Sequence, residues 1–187
     1  MPRIAIQNAT PDHYAHILAL NDTEVQQTSA MDLARLRELD ALSCYHKVAR
    51  VDGLVAAFLL AMRDGAAYAN DNYAWFAERF AQFVYVDRIV VSSAFGGLGV
   101  GSLLYADLFA YARTQHIDTI ACEYNVEPPN PASRRFHDKF GFNEIGQQWV
   151  ANRTKRVSMQ VSSAPGLAAS QALPLNDPPP SPAPPRS

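Results

Sequence analysis

Residues 83–111 read FVYVDRIVV, then SSAFGGLGVG, then SLLYADLFAY. The apolar first part predicts a β-strand, and the last part predicts a helix that begins near Ser102. The four glycines between them permit positive φ angles and let a ligand approach the main chain without meeting a Cβ. Consecutive N–H groups in such a loop, and at the first turn of the helix, can bind phosphate. The segment therefore predicts a phosphate-binding strand, loop and helix.

Two familiar nucleotide-binding motifs do not fit this loop. No Lys-Ser or Lys-Thr pair follows the glycines, as a Walker loop requires. The strand also lies mid-chain, without the repeated strand–helix units of a dinucleotide-binding fold. Taken alone, the loop remains compatible with an ordinary glycine-rich turn that binds nothing.

A second segment downstream adds specificity. Residues 123–142 read EYNVEPPNPASRRFHDKFGF, which predicts a strand end, a loop, a short helix capped by Asn130 and ended by Gly141, and a new strand. Together the two segments resemble the GNAT superfamily of acetyl-CoA-dependent N-acetyltransferases. The family form Val-x-Pro-x-Tyr-Arg/Gln-Gly-x-Gly-x-Gly is matched by residues 91–101. Its second motif, an Asn, a small residue, an aromatic proton donor and Gly-Phe, is matched by Asn130, Ser133, His137, Gly141 and Phe142.

The resemblance covers roughly residues 3–161 and implies a fold. We expect an α/β (α+β) architecture, with a central mixed, mostly antiparallel sheet of about seven strands. Helices cover both faces, and one parallel strand pair splays apart. One departure from the family pattern is Gly96, which stands where an Arg or Gln usually opens the loop. Its lost side-chain contact would weaken phosphate binding or leave it to main-chain amides.

The resemblance also implies acetyl-CoA as the acyl donor, with no metal. Main-chain groups of the loop would hold the diphosphate, the strand before it would pair with the pantetheine arm, and an N–H of Val90 or Val91 would donate to the thioester oxygen. The residues expected to bind the cofactor are Ile89, Val90, Val91, Gly97, Leu98, Gly99, Val100, Gly101, Ser102 and Asn130.

Two residues are candidate catalysts. His137 occupies the position where the family usually has a tyrosine that protonates the departing thiolate, and a histidine can supply a proton near neutral pH. Spacing alone favours a half-exposed helix histidine beside Phe136 and Phe140, and it is the resemblance that favours catalysis. Glu123 ends the strand before the second motif, where related enzymes often place a base, and Glu127 in the following loop is its competitor.

The rest of the chain predicts elements that suit this fold. The Asp52-Gly53 pair favours a tight hairpin turn between two strands. Residues 63–82 form a long link rich in aromatics, which either plug the core through a short helix or wall a lid over the acceptor. We predict strands at 3–8, 45–51, 54–62, 83–91, 119–124, 142–147 and 156–161, and helices at 10–20, 29–42, 102–114 and 130–141.

Size and composition set the remaining expectations. The chain has 187 residues, 48% of them apolar, which suits one domain at 1–161, followed by a disordered Pro/Ala/Ser-rich tail at 162–187. A net charge of −2 argues against a nucleic-acid partner. No signal peptide is evident and the longest apolar run, 54–62, is too short to span a bilayer, so we expect a cytoplasmic protein without a membrane partner. Cys44 and Cys122 are expected to be free thiols.

The expected activity is transfer of an acetyl group from acetyl-CoA to a primary amine of a small molecule or peptide. Two alternatives stay open from the sequence. One is a module that binds acyl-CoA but has lost catalysis, and the other is a structural protein whose Pro-rich tail is the interaction element. Similar proteins also make a homodimer possible, through the final strands.

Overall fold

A computed structural model describes residues 2–24 and 28–164. The predicted tail from residue 165 onward lies outside the described residues. The strands are β1 Ile4–Asn8, β2 Tyr45–Val51, β3 Leu54–Arg63, β4 Val84–Val91, β5 Thr119–Glu127, β6 Asn143–Val150 and β7 Lys155–Ser163. The helices are α1 Tyr14–Thr23, α2 Leu33–Leu42, α3 Asp71–Ala77, α4 Val100–Thr114 and α5 Pro131–Asp138.

The strands form one mixed seven-stranded sheet in the order β1-β2-β3-β4-β5-β7-β6. Only β4 and β5 pair in parallel, whereas the other neighbours within this sheet are antiparallel. Both faces are covered by helices, so the predicted fold class is confirmed.

Each face of the sheet has its own apolar core. On one face α4 packs through Leu104, Tyr105 and Leu108, with α5 beside it. The opposite core contains Ile17 of α1 and Leu36 of α2, together with aromatic residues of α3. The two faces thus separate α4 and α5 from the first three helices.

Local signals set several of the boundaries. Asp52 and Gly53 both have positive φ, as a two-residue hairpin turn requires. Helix α2 begins at Leu33, four residues later than predicted, because the Asp32 side chain accepts a hydrogen bond from the Arg35 amide and caps the helix there. At the C-terminal end, β7 runs to Ser163, so the first residues of the predicted tail belong to the sheet.

The aromatic link folds as the core plug. Tyr68, Tyr73 and Phe76 are buried and contact the sheet through Phe83 and Tyr85. The alternative, an aromatic-walled lid over the acceptor, is wrong for these three side chains because they point into the core.

Helix α3 is docked on β6 through a glycine. A Cβ added to Gly146 would lie 2.8 Å from Cζ2 of Trp75, and the guanidinium of Arg79 lies over the same indole ring at 3.7 Å. The absence of a side chain at residue 146 therefore lets the indole approach the strand closely.

We expect Gly146→Val to push Trp75 off β6 and to lower the free energy of unfolding by about 1–3 kcal/mol, as overpacking does. Urea unfolding measures this. Gln147→Val, on the exposed neighbouring residue, is the control and should change stability by no more than about 0.5 kcal/mol. Equal losses in the two variants would contradict the docking role.

Candidate active site

A cleft opens where β4 and β5 separate. Within the described chain the two strands pair at only two positions, Val84 with Ile120 and Tyr85 with Ala121. Both strands continue well beyond these pairs, and a cavity of about 690 Å³ lies between them and their neighbours. This volume is typical of a small-molecule or cofactor site.

A buried ion pair and its hydrogen bonds connect β4 to the end of α1. Asp87 is the extra residue of a bulge between β3 and β4, and the next residue, Arg88, pairs with it at 2.7 Å. The Arg88 guanidinium also donates to Asn21 Oδ1 at 2.8 Å and to the Ser29 carbonyl at 3.2 Å. These bonds hold β4 by its side chains at the point where its main chain leaves β5.

The unpaired edge of β4 presents main-chain groups to the cleft. The Ser92 amide donates to the Ala56 carbonyl of β3 at 2.8 Å. Because successive amides of a strand point in opposite directions, the Val90 amide also faces β3, while those of Ile89 and Val91 face the cleft. Of the two amides predicted to reach the thioester oxygen, geometry favours Val91 over Val90 and adds Ile89.

The glycine loop leads from this edge into α4. Gly97 and Gly99 have φ of +78° and +73°, and their amides donate to no main-chain oxygen within residues 28–164. The first helical bond of α4 runs from the Leu103 amide to the Gly99 carbonyl, so the amides of Val100, Gly101 and Ser102 are free of helical partners. The Leu98 amide differs, since it reaches the Phe95 carbonyl at 3.4 Å.

At two positions of the loop, neighbouring atoms leave little room for a side chain, which explains the glycines found there. A Cβ on Gly96 would lie 3.2 Å from the Ser93 carbonyl, so the tight turn at Ser93–Phe95 leaves little room for the Arg or Gln usual at this place. A Cβ on Gly101 would lie 3.1 Å from Val91 Cγ2 and 3.3 Å from Phe136 Cε2. Gly101 thus lets the first turn of α4 pack closely on β4 and α5.

Glu123 lies on the wall of the cleft that faces α3. Its Oε1 accepts hydrogen bonds from Asn72 Nδ2 at 2.8 Å and from the Tyr85 hydroxyl at 3.0 Å. Its Oε2 is covered from solvent and has no hydrogen-bond partner among the described residues. Burial, and next the charge of Asp87, raise the pKa of Glu123 to about 8, although the two hydrogen bonds pull it down. Such a carboxyl group can take up a proton near neutral pH.

The competing base lies elsewhere. Glu127 is exposed at the far end of β5 and pairs with Arg156 of β7. Glu127 does not line the cleft, so the structure favours Glu123, whose role as a base stays a prediction.

His137 is buried instead of half-exposed. Its Nδ1 donates to the Ser133 carbonyl at 2.7 Å, and its Nε2 accepts from the Tyr105 hydroxyl at 2.8 Å when the ring is neutral. Burial lowers the pKa of His137, against a smaller opposing effect of the Ser133 carbonyl. At neutral pH both ring nitrogens are therefore engaged with α4 and α5, although the residue borders the cleft.

Sequence reasoning missed Tyr124. It follows Glu123 on β5 and so points to the opposite face, where its ring lies 5.6 Å from that of His137. Its hydroxyl oxygen accepts from Gln160 Nε2 at 3.2 Å, and burial raises its pKa. The alternation of side chains after Glu123 was the signal that could have identified it.

The remaining predicted contact is Asn130, which caps α5 by accepting from the Ser133 amide at 3.0 Å. It borders the cleft, and its contact with the cofactor stays a prediction.

Cysteines and metal ligands complete the description of the side chains. Cys44 and Cys122 are free thiols. Among residues 2–24 and 28–164, no group of three His, Cys, Asp or Glu side chains is arranged to hold a metal ion. None of the described helices combines the length and apolar character that crossing a bilayer requires.

Known proteins resemble this chain in fold and, over a short stretch, in sequence. Ard1 from Thermoplasma volcanium superposes with a TM-score of 0.70 at 17% identity, over 86% of this chain and 97% of the other. The putative acetyltransferase yncA from Salmonella typhimurium, solved with acetyl-CoA, gives 0.65 at 20% identity, over 91% and 99%. Arabidopsis thaliana Naa50, in complex with the bisubstrate analogue CoA-Ac-MVNAL, gives 0.66 at 15% identity, over 86% and 98%.

A curated relative, phosphinothricin N-acetyltransferase from Streptomyces coelicolor, is 40% identical over 58 residues. That match spans 31% of this chain and only about a third of the length of the relative, 33%. The model of the acetyltransferase (GNAT) family matches residues 12–142, which include β4, the glycine loop, Glu123 and α5. Family match, sheet topology and splayed strand pair agree: the chain belongs to the GNAT acetyltransferase family.

Proposed function

We propose that the protein is an N-acetyltransferase that moves an acetyl group from acetyl-CoA to a primary amine by direct attack on the thioester. The observation that carries this is the position of the Glu123 carboxyl on the wall of the cleft where β4 and β5 splay, where burial raises its pKa to about 8. A base in that position would meet an amine entering from the α3 side as the thioester lies along β4.

The donor would be held by main-chain groups. Amides of Gly97 and Gly99, followed by those of the first turn of α4, suit a diphosphate, because they are unbonded and concentrated at a helix N-terminus. The cleft-facing groups of Ile89 and Val91 suit the amides of a pantetheine arm, which would add to β4 like a short strand. Acetyl-CoA has both parts.

The acceptor side of the cleft suits a cation. The amide oxygens of Asn70 and Asn72 on its border are already bonded to the Tyr73 amide and to Gln148, but the border also includes the carboxyl groups of Glu24 and Glu123. Such groups attract an ammonium ion and orient its hydrogens. Relatives act on a small molecule or are bound to a peptide-bearing analogue, so we propose a primary amine of either kind.

The reaction removes two protons from the nitrogen of the bound ammonium group. The bound ammonium gives one proton to Glu123, and its nitrogen attacks the carbonyl carbon while the carbonyl electrons move to oxygen. A main-chain amide, Val91 or Ile89, stabilises that oxygen, a contribution of about 3–4 kcal/mol in comparable sites. The C–S bond then breaks, the nitrogen releases its second proton to solvent, the thiolate gains a proton from a side chain, and Glu123 returns its own proton to solvent before the next turnover.

Two side chains compete to protonate the thiolate. His137, the predicted acid, has its Nδ1 hydrogen on the Ser133 carbonyl and its other nitrogen on Tyr105. The Tyr124 hydroxyl accepts from Gln160, which leaves its own hydrogen for an acceptor in the cleft. We therefore assign the step to Tyr124, which regains a proton from solvent, and give His137 a packing role beside it.

We also propose, as the sequence suggests, that the enzyme works in the cytoplasm and that it forms a homodimer through its final strands. The second has support from β6, an edge strand on which Ile145 and Trp149 are 41% and 43% exposed. Exposed apolar groups on a sheet edge favour pairing with another chain.

The alternative is a module that binds acyl-CoA without catalysis. Calorimetry with acetyl-CoA, alongside a free-thiol assay of CoA release with a panel of primary amines, separates the two. We expect binding and amine-dependent release, whereas binding with no release from any amine would favour the module.

Glu123→Gln tests the base. Wild-type kcat/KM should rise with pH and reach a plateau above about pH 8, because only the ionised carboxylate accepts the proton. The variant should lose about 100-fold in kcat or more and show no such rise, with acetyl-CoA affinity unchanged. Glu127→Gln is the matched control. An unchanged profile in Glu123→Gln removes this residue from the mechanism.

Gly99→Val tests the diphosphate site. The side chain would enter the open space beside the loop and should weaken acetyl-CoA binding about 10- to 100-fold through lost charge-assisted bonds. Gly65→Val is the control, because Gly65 has a similar φ of +77° and open surroundings but lies outside the loop. Calorimetry that finds equal affinities in both variants would refute the loop assignment.

Tyr124→Phe and His137→Gln test the acid. Removal of the tyrosine hydroxyl should lower kcat by about tenfold or more while acetyl-CoA affinity is kept. His137→Gln should mainly lower the melting temperature, since the imidazole packs against Tyr105 and Phe142. Full activity of Tyr124→Phe, with a stable but inactive His137→Gln, would return the role to His137.

A further inference from the structure

The two oxygens of the Glu123 carboxylate have different surroundings. Oε1 receives two donors, Asn72 Nδ2 and the Tyr85 hydroxyl, while Oε2 has no partner among the described residues and is covered from solvent. A proton binds more readily to the oxygen that is free of donors. The pattern therefore selects Oε2 as the atom that takes up the proton.

Asn72 is itself held in place by β6. Its Oδ1 accepts a hydrogen bond from Gln148 Nε2 at 3.0 Å. This fixes the amide so that its Nδ2 points to Glu123 and not away from it. The residue is buried, and these hydrogen bonds connect the edge strand, α3 and the cleft.

Helix α3 gives Asn72 a fixed position. Asn70 caps the helix by accepting from the Tyr73 amide at 2.9 Å. The Tyr73 hydroxyl donates to the Arg63 carbonyl at 2.8 Å and accepts from the Ala66 amide at 2.9 Å. Anchored at both the sheet and the link, the first turn of α3 cannot move without displacing the amide from the carboxylate.

We propose that Asn72 and Gln148 are positioning residues for Glu123: Asn72 occupies Oε1, Gln148 orients Asn72, and Oε2 remains the proton acceptor. This rests on the proposed role of Glu123 as the base. The step concerned breaks an N–H bond of the bound ammonium and forms an O–H bond at Oε2, which the amine reaches by displacing the side chains that cover this oxygen in the unliganded protein.

Several other groups act on the same carboxylate and must be constant in any test. Asp87 raises its pKa, and Arg88 and Tyr85 lower it. The ionisable groups near Glu123 or on the border of its cleft are Tyr85, Asp87 and Arg88 on β4, Cys122 and Tyr124 on β5, Tyr105 on α4, His137 on α5, Glu24 after α1 and Lys155 on β7. None of them is altered by substitution at residue 72 or 148.

The experiment is a carbon-13 NMR titration of the Glu123 side-chain carboxyl, with its signal assigned by its loss in Glu123→Gln. Asn72→Ala removes a donor from the ionised form, so the titration midpoint should move up by about one pH unit, the effect of a lost hydrogen bond to a charge. Gln148→Ala should move it in the same direction by less. Gln147→Ala is the matched control, because the hydrogen bonds of its side-chain amide within the described residues go to Glu144 and not to Glu123 or Asn72, and it should leave the midpoint unchanged.

The double variant Asn72→Ala/Gln148→Ala gives the decisive comparison. If Gln148 acts through Asn72, the double variant should titrate like Asn72→Ala alone. With the best amine of the panel, the rising limb of kcat/KM should move by the same amount as the NMR midpoint. A purely structural role would lower stability and move neither.

An unmoved midpoint in Gln148→Ala and Asn72→Ala, or additive shifts in the double variant, would overturn the positioning role. Such results leave the proposed function intact if Glu123→Gln is inactive. Conversely, full activity of Glu123→Gln would defeat the base assignment whatever the titrations give.

Discussion

The separation of β4 from β5 is the constraint on which the rest of the structure depends. Main-chain groups that leave a sheet lose their partners, and an unsatisfied buried N–H or C=O costs about 1–3 kcal/mol. Here β4 is held open from the other side, since Asp87 bulges out of the β3 ladder and Arg88 is bonded to Asn21 and Ser29. In the proposed mechanism the same opening would give a pantetheine arm its partners and Glu123 a place facing the acceptor, so that binding and chemistry would both follow from the separation of two strands.

Strand periodicity explains how one strand serves both sides of the cleft. Successive side chains of β5 alternate between faces, so Glu123 points toward α3 and Tyr124 toward α5. In the proposed mechanism, these neighbouring residues would be the proton acceptor on the amine side and the proton donor on the thiol side. A one-residue change of register in β5 would exchange the two roles, which the long antiparallel pairing with β7 prevents.

The features that the sequence predicted well are those with a local cause. The Asp52-Gly53 turn, the Asn130 cap and the positive φ of Gly97 and Gly99 each follow from the residue that stands there. What it could not predict depends on distant partners: Asn72 meets a carboxylate 51 residues away, and Gln148 meets Asn72 at a separation of 76. The burial of His137, which spacing alone would leave half-exposed, has the same cause, since packing against Tyr105 of α4 and against Phe142 buries it. Apolar content alone could not decide between a lid and a plug for the aromatic link.

The burial that raises the pKa of Glu123 also opposes folding at higher pH. Its pKa rises from 4.5 to about 8 in the folded protein, so between these values the folded state retains a proton that the unfolded state has released. Stability from this group is therefore present below about pH 4.5 and is lost progressively as the pH rises through about 8. The hydrogen bonds from Asn72 and Tyr85 reduce this loss because they stabilise the ionised form.

The number of hydrogen-bond donors also tunes the carboxyl group as a base. With fewer donors it would be a stronger base but would stay protonated at neutral pH, and with more donors it would be fully ionised but less basic. Two donors on one oxygen and none on the other give a group that is partly ionised near neutral pH and has one defined position for the proton.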